Sequence, residues 1–533
     1  MAYYKDLRDY LQTLEEHGKL VRIKSQINKD AQMHPLVRLQ FRGLSEEQRK
    51  AFLFENIIDS RGRQYSTPAV VGALAGSSEI YAIGMMCKPE EIEGKFNQAR
   101  LHPIEPKIVD DGPLYEEVHI GDGLLEHGGL DEFPIPISTP GYDVAPYMTA
   151  PSWITRDPQT GIRNVGTYRA QVKAPLRTGV MWGGSYQGGA VHWRKCKELG
   201  IPLEAAIVIG GPPSISYVST ARLAPDEDEL RVASGIAGEP LELVRCKTVN
   251  LEVPAQAEIV IEGEVSTVMI EPEAPFGEAT GLVALTEVFP YFTVKCIAHR
   301  KKPIWVSIIS QYPPSESTKV REHTSDAVMY QYLRHELNMP HVLAVACPEP
   351  VSSISLIAIQ MKKTEPSEVW RALEETGNRF PISKIIVAVD EDVNPWDLGA
   401  VSMAMCQRMM PHRDCRILKF TPTFKTDAAF GPIDALAKQQ ESGVEEPIEG
   451  SRLLIDTTTK WPFPPVSLPK KEFMDEALRL WQKEGLPELN LREPWWGHNL
   501  GYWSPEDGEK ATLATKGEYY RTGEIYAKKR KSI

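Results

Sequence analysis

Three segments of this 533-residue chain carry side chains that handle carboxylates and protons. The first is Arg-Asn-Val-Gly-Thr-Tyr-Arg, from Arg163 to Arg169. The second is Ala-Pro-Asp-Glu-Asp-Glu-Leu, from Ala224 to Leu230. The third is Glu-Pro-Glu-Ala-Pro-Phe-Gly-Glu, from Glu271 to Glu278. Pro275, Phe276 and Gly277 stand between Glu273 and Glu278, and a turn of that composition restricts the backbone, so both carboxylates can be aimed into one cleft. An arginine fork matches a carboxylate and stays charged at any working pH. Of two carboxylates beside it, one can hold the guanidinium while the other keeps its proton and donates it. Taken alone, an arginine and two glutamates equally suit an ordinary ion-pair network.

These segments need elements to hold them. Leu7, Leu11 and Leu14 recur at helical spacing, Gly18 can close that helix in a left-handed cap, and Leu20 to Ile23 reads as a strand. Apolar runs at Pro68 to Leu74 and Ile80 to Met86 complete an N-terminal α/β module, and a proline-rich stretch follows. From Asn164 to Ile309 short β-like runs alternate with glycine turns, the pattern of a barrel or sandwich. After Tyr312 the pattern returns to α/β. Ala327 to Leu337 and Ser367 to Glu375 are helical. His341 to Ala346, Ile354 to Met361 and Lys384 to Val389 are apolar or strand-like, the last leading into an acidic loop at Asp390 to Asp392. Met403, Met405, Met409 and Met410 are expected to fill a core. Lys470 to Glu484 is an amphipathic helix ended by Gly485, with Phe473, Ala477, Leu480 and Trp481 on one face for docking on this chain or a partner.

Composition narrows the function classes. Lys plus Arg number 60 and Asp plus Glu 72, a net charge of −12, with no basic stripe, which disfavours nucleic-acid binding. No apolar run approaches the roughly 18 residues of a membrane span, and the N-terminus lacks an apolar signal region. Seven cysteines without C-x-x-C spacing suggest reduced thiols and a cytoplasmic setting. Rossmann and P-loop glycine motifs are absent, as are G-x-S-x-G and H-E-x-x-H.

The N-x-G-x-Y-R of Asn164 to Arg169 and the E-x-P-F-G-E of Glu273 to Glu278, with DLRDYLQTLEEHGKLVRI, FPIP and VDEDVNPWDLGAV in order along the chain, resemble the UbiD-like decarboxylases, which use prenylated FMN. The resemblance implies an α/β multidomain fold. It would have an N-terminal α/β domain (1–125), a central split β-barrel holding the flavin (126–310) and a C-terminal α/β domain with a docking helix (311–533). It implies a catalytic triad of Arg169, which would bind the substrate carboxylate, Glu273, which would orient it, and Glu278, the proton donor. Thr167, Tyr168, Arg169, Trp182, Gly183, Gly184, Gln187 and Gly188 would line the flavin, with Lys384 as a further phosphate contact. A divalent metal, manganese by resemblance, and a potassium ion would sit at the flavin phosphate. The metal would take Asn164 and Glu229, with Glu227 the second choice for the acid.

One departure from the family pattern concerns the metal. Where many members place a histidine, this chain has Tyr186 or Gln187, and His192 falls several residues later. Fewer side chains, weaker binding or a different ion would follow. Asn164 as a turn residue and Glu229 as a helix cap stand beside the metal roles. The activity implied is reversible non-oxidative decarboxylation of an aromatic, heteroaromatic or α,β-unsaturated acid, or of an aryl-CoA thioester. The partners implied are that acid and CO2, a flavin prenyltransferase as cofactor supplier, and further copies of the chain in a homodimer or larger homo-oligomer. The alternatives are a non-catalytic flavin-binding scaffold or maturation protein and an ordinary FMN reductase.

Overall fold

The computed structural model describes residues 2–182, 187–353, 355–420, 429, 431–432 and 449–532. The fold is a mixed α/β assembly built on three main sheets. Helix Leu7–Glu16 buries Leu7, Tyr10, Leu11 and Leu14, is capped by Asp6, and leads through Gly18, at φ 69°, into strand Leu20–Ile23. That strand belongs to a four-stranded sheet with Ala51–Phe54, Ala69–Val71 and, from far along the chain, Trp305–Ser307.

The central sheet is antiparallel and decides where the chemistry lies. Its strand order is Arg163–Thr167, Ser152–Arg156, Leu203–Ile209, Ile259–Glu273, Glu287–His299, Arg177–Gly179, Ala170–Ala174 and Tyr147–Met148, with Glu117–Ile120 also paired to Glu287–His299. The run VGTYRAQV, continuous in sequence, is thus broken at Tyr168 and Arg169. Strands Arg163–Thr167 and Ala170–Ala174 are consecutive in the chain, yet five strands separate them in the sheet. The step from Thr167 to Ala170 spans at most about 11 Å. The sheet must therefore curl until its two ends nearly meet, forming a half-barrel with Tyr168 and Arg169 in the seam.

The third sheet orders Val342–Ala346, Leu356–Met361, Ile385–Asp390, Gly450–Asp456 and Cys415–Phe420. Its central strands are buried on both faces, as continuous apolar runs such as Ile385 to Val389 require. Ile386 and Ala388 pack under helix Pro366–Arg379, and Val387 and Val389 pack under Leu398–Arg408. The Asp390–Asp392 loop is closed by Arg408, at 3.0 Å from Asp390 and 2.6 Å from Asp392. The methionine expectation needs correction. Met405 and Met409 pack against this core, but Met403 faces outward, because helix Leu398–Arg408 buries the side of Val401, Ala404 and Arg408, and Met410, past the end of that helix, is exposed as well. Helix Lys471–Lys483 forms where expected, and its apolar face is not covered by the described residues.

Strand exchange crosses the expected divisions. Glu117–Ile120 joins the central sheet, and Trp305–Ser307 joins the N-terminal one. Glu316, first residue of helix Glu316–Gln331, ties them further. Its buried carboxylate accepts N–H groups from Gly72, Leu74, Ala75 and Ile309 at 3.0, 2.8, 3.2 and 3.3 Å. Burial raises this carboxyl from 4.5 to about 7, against the pull of those donors. A raised carboxyl contributes stability that is complete below its unfolded value and is lost as pH rises through the folded one. Glu316→Gln is expected to abolish that pH dependence between about 4.5 and 7. It should also destabilise the protein by about 2–4 kcal/mol, because an amide nitrogen would face two orphaned N–H donors. Denaturant unfolding at several pH values checks both.

Candidate active site

The seam opens on a cavity of about 690 Å³ between the half-barrel and the C-terminal sheet's helices. Arg169 lies on its wall, buried. Its Nε donates to Glu273 Oε1 at 3.1 Å, and its Nη1 donates to Glu278 Oε1. The guanidinium sits 5.0 Å from the centre of the Phe276 ring. Burial disfavours the Arg169 charge, but Glu278 and Glu273 outweigh it and hold the group above its ordinary pKa. Glu273 is completely buried, and desolvation raises its carboxyl despite Arg169. Its Oε2 has no hydrogen-bond partner among the described residues. It is aimed at Gly179, where a Cβ would come within 2.4 Å. Glu278 reaches the cavity, whereas Glu273 stands behind it.

Local backbone places the pair of acids. Glu273 ends the long strand Ile259–Glu273, and Phe276–Gly277 pairs with Val283–Ala284. Between them Ala274 has φ 79°, a left-handed conformation costly to a residue with a Cβ. Asp143 secures the turn by accepting Gly277 N at 2.8 Å and Thr139 N at 2.7 Å, and burial raises its carboxyl to about 6. Asp143 carried no sequence signature, since its partner lies 134 residues away.

Asn164 and Glu229 also line the cavity. Asn164 donates through Nδ2 to the Tyr168 hydroxyl at 3.2 Å, which leaves Oδ1 as its acceptor. Gly189 N donates to the same hydroxyl at 3.1 Å. Glu229, first in helix Glu229–Ala237, is buried and accepts the N–H of Val165 at 2.9 Å. Desolvation raises its carboxyl to about 8. The acidic run around it divides by role. Glu227 is taken by Arg100 in a two-pronged pair at 3.0 and 2.9 Å, and Asp228 caps the helix and binds Arg163 at 2.7 Å. Only Glu229 of that run faces the cavity.

Among the expected flavin contacts, Thr167, Tyr168, Arg169, Gln187 and Gly188 line the cavity. Trp182 does not. It packs edge-on against Tyr168, with ring centres 4.9 Å apart, inside the main core. Gly183, Gly184 and Tyr186 lie outside the described residues. His192 turns away from the cavity, with Nδ1 2.9 Å from Thr155 Oγ1, and burial lowers it to about 4. Lys384 is not on the cavity wall. Arg222 and Arg379 are, and Arg379 Nη2 donates to the Arg222 carbonyl at 2.8 Å. Burial lowers the Arg379 pKa, reinforced by Arg222 and Arg100 and opposed by Glu336, so an anion beside these arginines would relieve the strain. Neither arginine sits in a local motif.

Comparison with known proteins bears on the family and the fold. Three family models match in order. They are described as the 3-octaprenyl-4-hydroxybenzoate carboxy-lyase N-terminal domain (residues 11–98), Rift-related domain (107–313) and C-terminal domain (320–457). An uncharacterized protein of Aquifex aeolicus is 33% identical over 487 residues, covering 86% of this chain and 93% of its own. The UbiD-class enzyme HmfF of Pelotomaculum thermopropionicum, solved with FMN, is 29% identical with a TM-score of 0.74, over 89% of this chain and 99% of that one. Vanillic acid decarboxylase of Sedimentibacter hydroxybenzoicus, in its closed form, is 25% identical with a TM-score of 0.78, over 91% and 100%. With its half-barrel, its seam arginine and all three family regions in order, the chain belongs to the UbiD family of carboxy-lyases.

Proposed function

We propose that the chain is a prenylated-FMN-dependent decarboxylase. It acts reversibly and without net oxidation on an aromatic, heteroaromatic or α,β-unsaturated carboxylic acid, aryl-CoA thioesters included. The observation that carries this reading is the buried Arg169 held between Glu273 and Glu278 on the wall of a large cavity.

The cavity residues fit such a cofactor. A volume of about 690 Å³ falls within the range of small-molecule and cofactor sites. At Gly188 a Cβ would lie 1.9 Å from Asn164 Oδ1, so only glycine leaves that oxygen uncovered. Asn164 Oδ1 and the Glu229 carboxyl form a hard-oxygen pair suited to Mn2+ or Mg2+, and a cation would offset the desolvation of Glu229. Thr167, Tyr168, Gln187 and Gly188 would hold the flavin, with Arg222 and Arg379 supplying positive charge for its phosphate. An evolved dimeric form of HmfF is known in complex with prenylated FMN. When bound, the prenylated flavin supplies the electrophile that accepts the electrons of the breaking carbon–carboxylate bond.

The chain's own residues then have separable tasks. Arg169 receives the substrate carboxylate. Glu273 fixes the guanidinium from behind, out of reach of solvent. Glu278, on the cavity side, delivers a proton to the carbon that has lost CO2 and removes it in the carboxylation direction. Phe276 packs beneath the guanidinium and keeps water from the exchange. The uncovered face of helix Lys471–Lys483 supports assembly with further copies of the chain.

Protein produced together with a flavin prenyltransferase is expected to release prenylated FMN, read by mass spectrometry, and to decarboxylate members of an acid panel. Plain FMN or none, from cells that load a known relative, would favour the scaffold alternative. Glu278→Gln is expected to keep the cofactor and lose about 10²–10⁴-fold in decarboxylation rate, read by product formation and flavin spectra. Gly188→Ala is expected to fold normally yet lose divalent metal and flavin together, because the new methyl displaces Asn164; elemental analysis and absorbance check it.

A further inference from the structure

Away from the arginine cavity, histidines and glutamates crowd one edge of the central sheet. His119 lies on strand Glu117–Ile120, opposite Ile297, and His299 ends the neighbouring strand, opposite Glu117. The two histidines are diagonal neighbours on one face of an antiparallel pair, within reach of each other. Their rings stack 5.3 Å apart, and their Nε2 atoms are 3.2 Å apart. Glu132, at the end of the turn Gly129–Glu132, brings Oε1 to 3.5 Å from His299 Nε2. Ligating atoms of His119, Glu132 and His299 all lie within 4.8 Å of one another, and Glu126 and His127 stand equally close to His119.

The hydrogen bonding of His299 sets its tautomer. Its Nδ1 is 2.8 Å from the Arg300 carbonyl, which can only accept, so Nδ1 carries the hydrogen and Nε2 of the neutral ring presents a lone pair. Glu132 Oε1 then faces that lone pair, acceptor against acceptor. His119 can give one hydrogen to His299 and none to Glu132 through the same atom. A cation among the three atoms resolves the conflict, a metal ion or a proton on His299 Nε2, and metal titration separates the two. For tetrahedral zinc with Zn–N bonds near 2.05 Å, ligand atoms lie about 3.3 Å apart, and the observed 3.2 and 3.5 Å bracket that edge. An imidazole hydrogen-bonded through its other nitrogen to a backbone carbonyl is the usual support for a metal-bound histidine. Phe133, 5.6 Å from the His299 ring, walls the site with apolar surface.

We propose that His119, His299 and Glu132 bind a zinc ion, with water as fourth ligand, stapling strand Glu117–Ile120 and the turn ending at Glu132 to the half-barrel. Two imidazoles and a carboxylate suit zinc, whereas the all-oxygen pair at Asn164 and Glu229 suits a harder ion. The full-length protein, stripped with a chelator, is titrated with Co2+ and then Zn2+ while absorbance and thermal unfolding are recorded. One equivalent of Co2+ is expected to give the intense visible bands of four-coordination, Zn2+ to bleach them, and Zn2+ to raise the melting temperature. His119→Ala and His299→Gln are expected to abolish both signals, and Glu229→Gln, in the cavity, to leave them. Glu132→Gln preserves size at a half-buried position, which keeps the test informative should a histidine variant not fold. It is expected to weaken Zn2+ by about tenfold or more. No such bands in the stripped protein, or bands that survive the loss of either histidine, would overturn the site.

Discussion

A guanidinium buried in a protein carries a desolvation cost that partner carboxylates offset, and here that offset is made at a seam between the two ends of one sheet. Arg169 is placed by the two-residue step that joins strands at opposite ends of the strand order. Its partner Glu273 comes from the middle of that order, on the strand Ile259–Glu273. The ion pair therefore forms only when the half-barrel has curled to its full extent. The reverse also holds. A buried Glu273 without Arg169 would leave a desolvated charge of the kind that destabilises a fold by several kcal/mol. Closure of the sheet and assembly of the site are one event.

The surrounding layers divide the remaining work by chemistry. Asp143 and the positive-φ Ala274 set the turn that turns Glu278 toward the cavity while Glu273 stays behind. The strand carrying Asn164 and the helix opened by Glu229 are joined through the N–H of Val165, and both side chains line the cavity. The C-terminal layer adds Arg379 to Arg222 of the half-barrel region, so a chain of net charge −12 presents a locally positive wall to an anionic ligand. Glu316 locks that layer to the N-terminal module through the backbone N–H groups of Gly72, Leu74 and Ala75. The edge cluster of His119, His299 and Glu132 does the same for the strand that enters the half-barrel from the N-terminal side.

Much of this was legible from residue types and spacing. The leucines of the first helix, the glycine that ends it, the doubly buried run at Ile385 to Val389 and the late amphipathic helix all follow from periodicity, because each is decided by local burial. The E-x-P-F-G-E turn announced two carboxylates held apart at fixed spacing. What local pattern misjudged is instructive. VGTYRAQV reads as one strand because nothing within eight residues reports that its halves belong to opposite sheet ends. Trp182 reads in the sequence as a flavin contact or as core, and the structure packs it edge-on behind Tyr168, a residue of the cavity wall.

The amino-acid sequence by itself determined the family and the identities of the groups available for chemistry, because those reside in motifs a few residues long. It also determined where helices and buried strands form, because apolar period is a local property. The tertiary structure supplied the reason that Glu229, and not Glu227 or Asp228, faces the cavity, since Arg100 and Arg163 hold those two elsewhere. It alone brought Arg222 and Arg379 to one wall across 157 residues. Charge pairing and burial act through space, and no spacing along the chain encodes which distant partner will arrive.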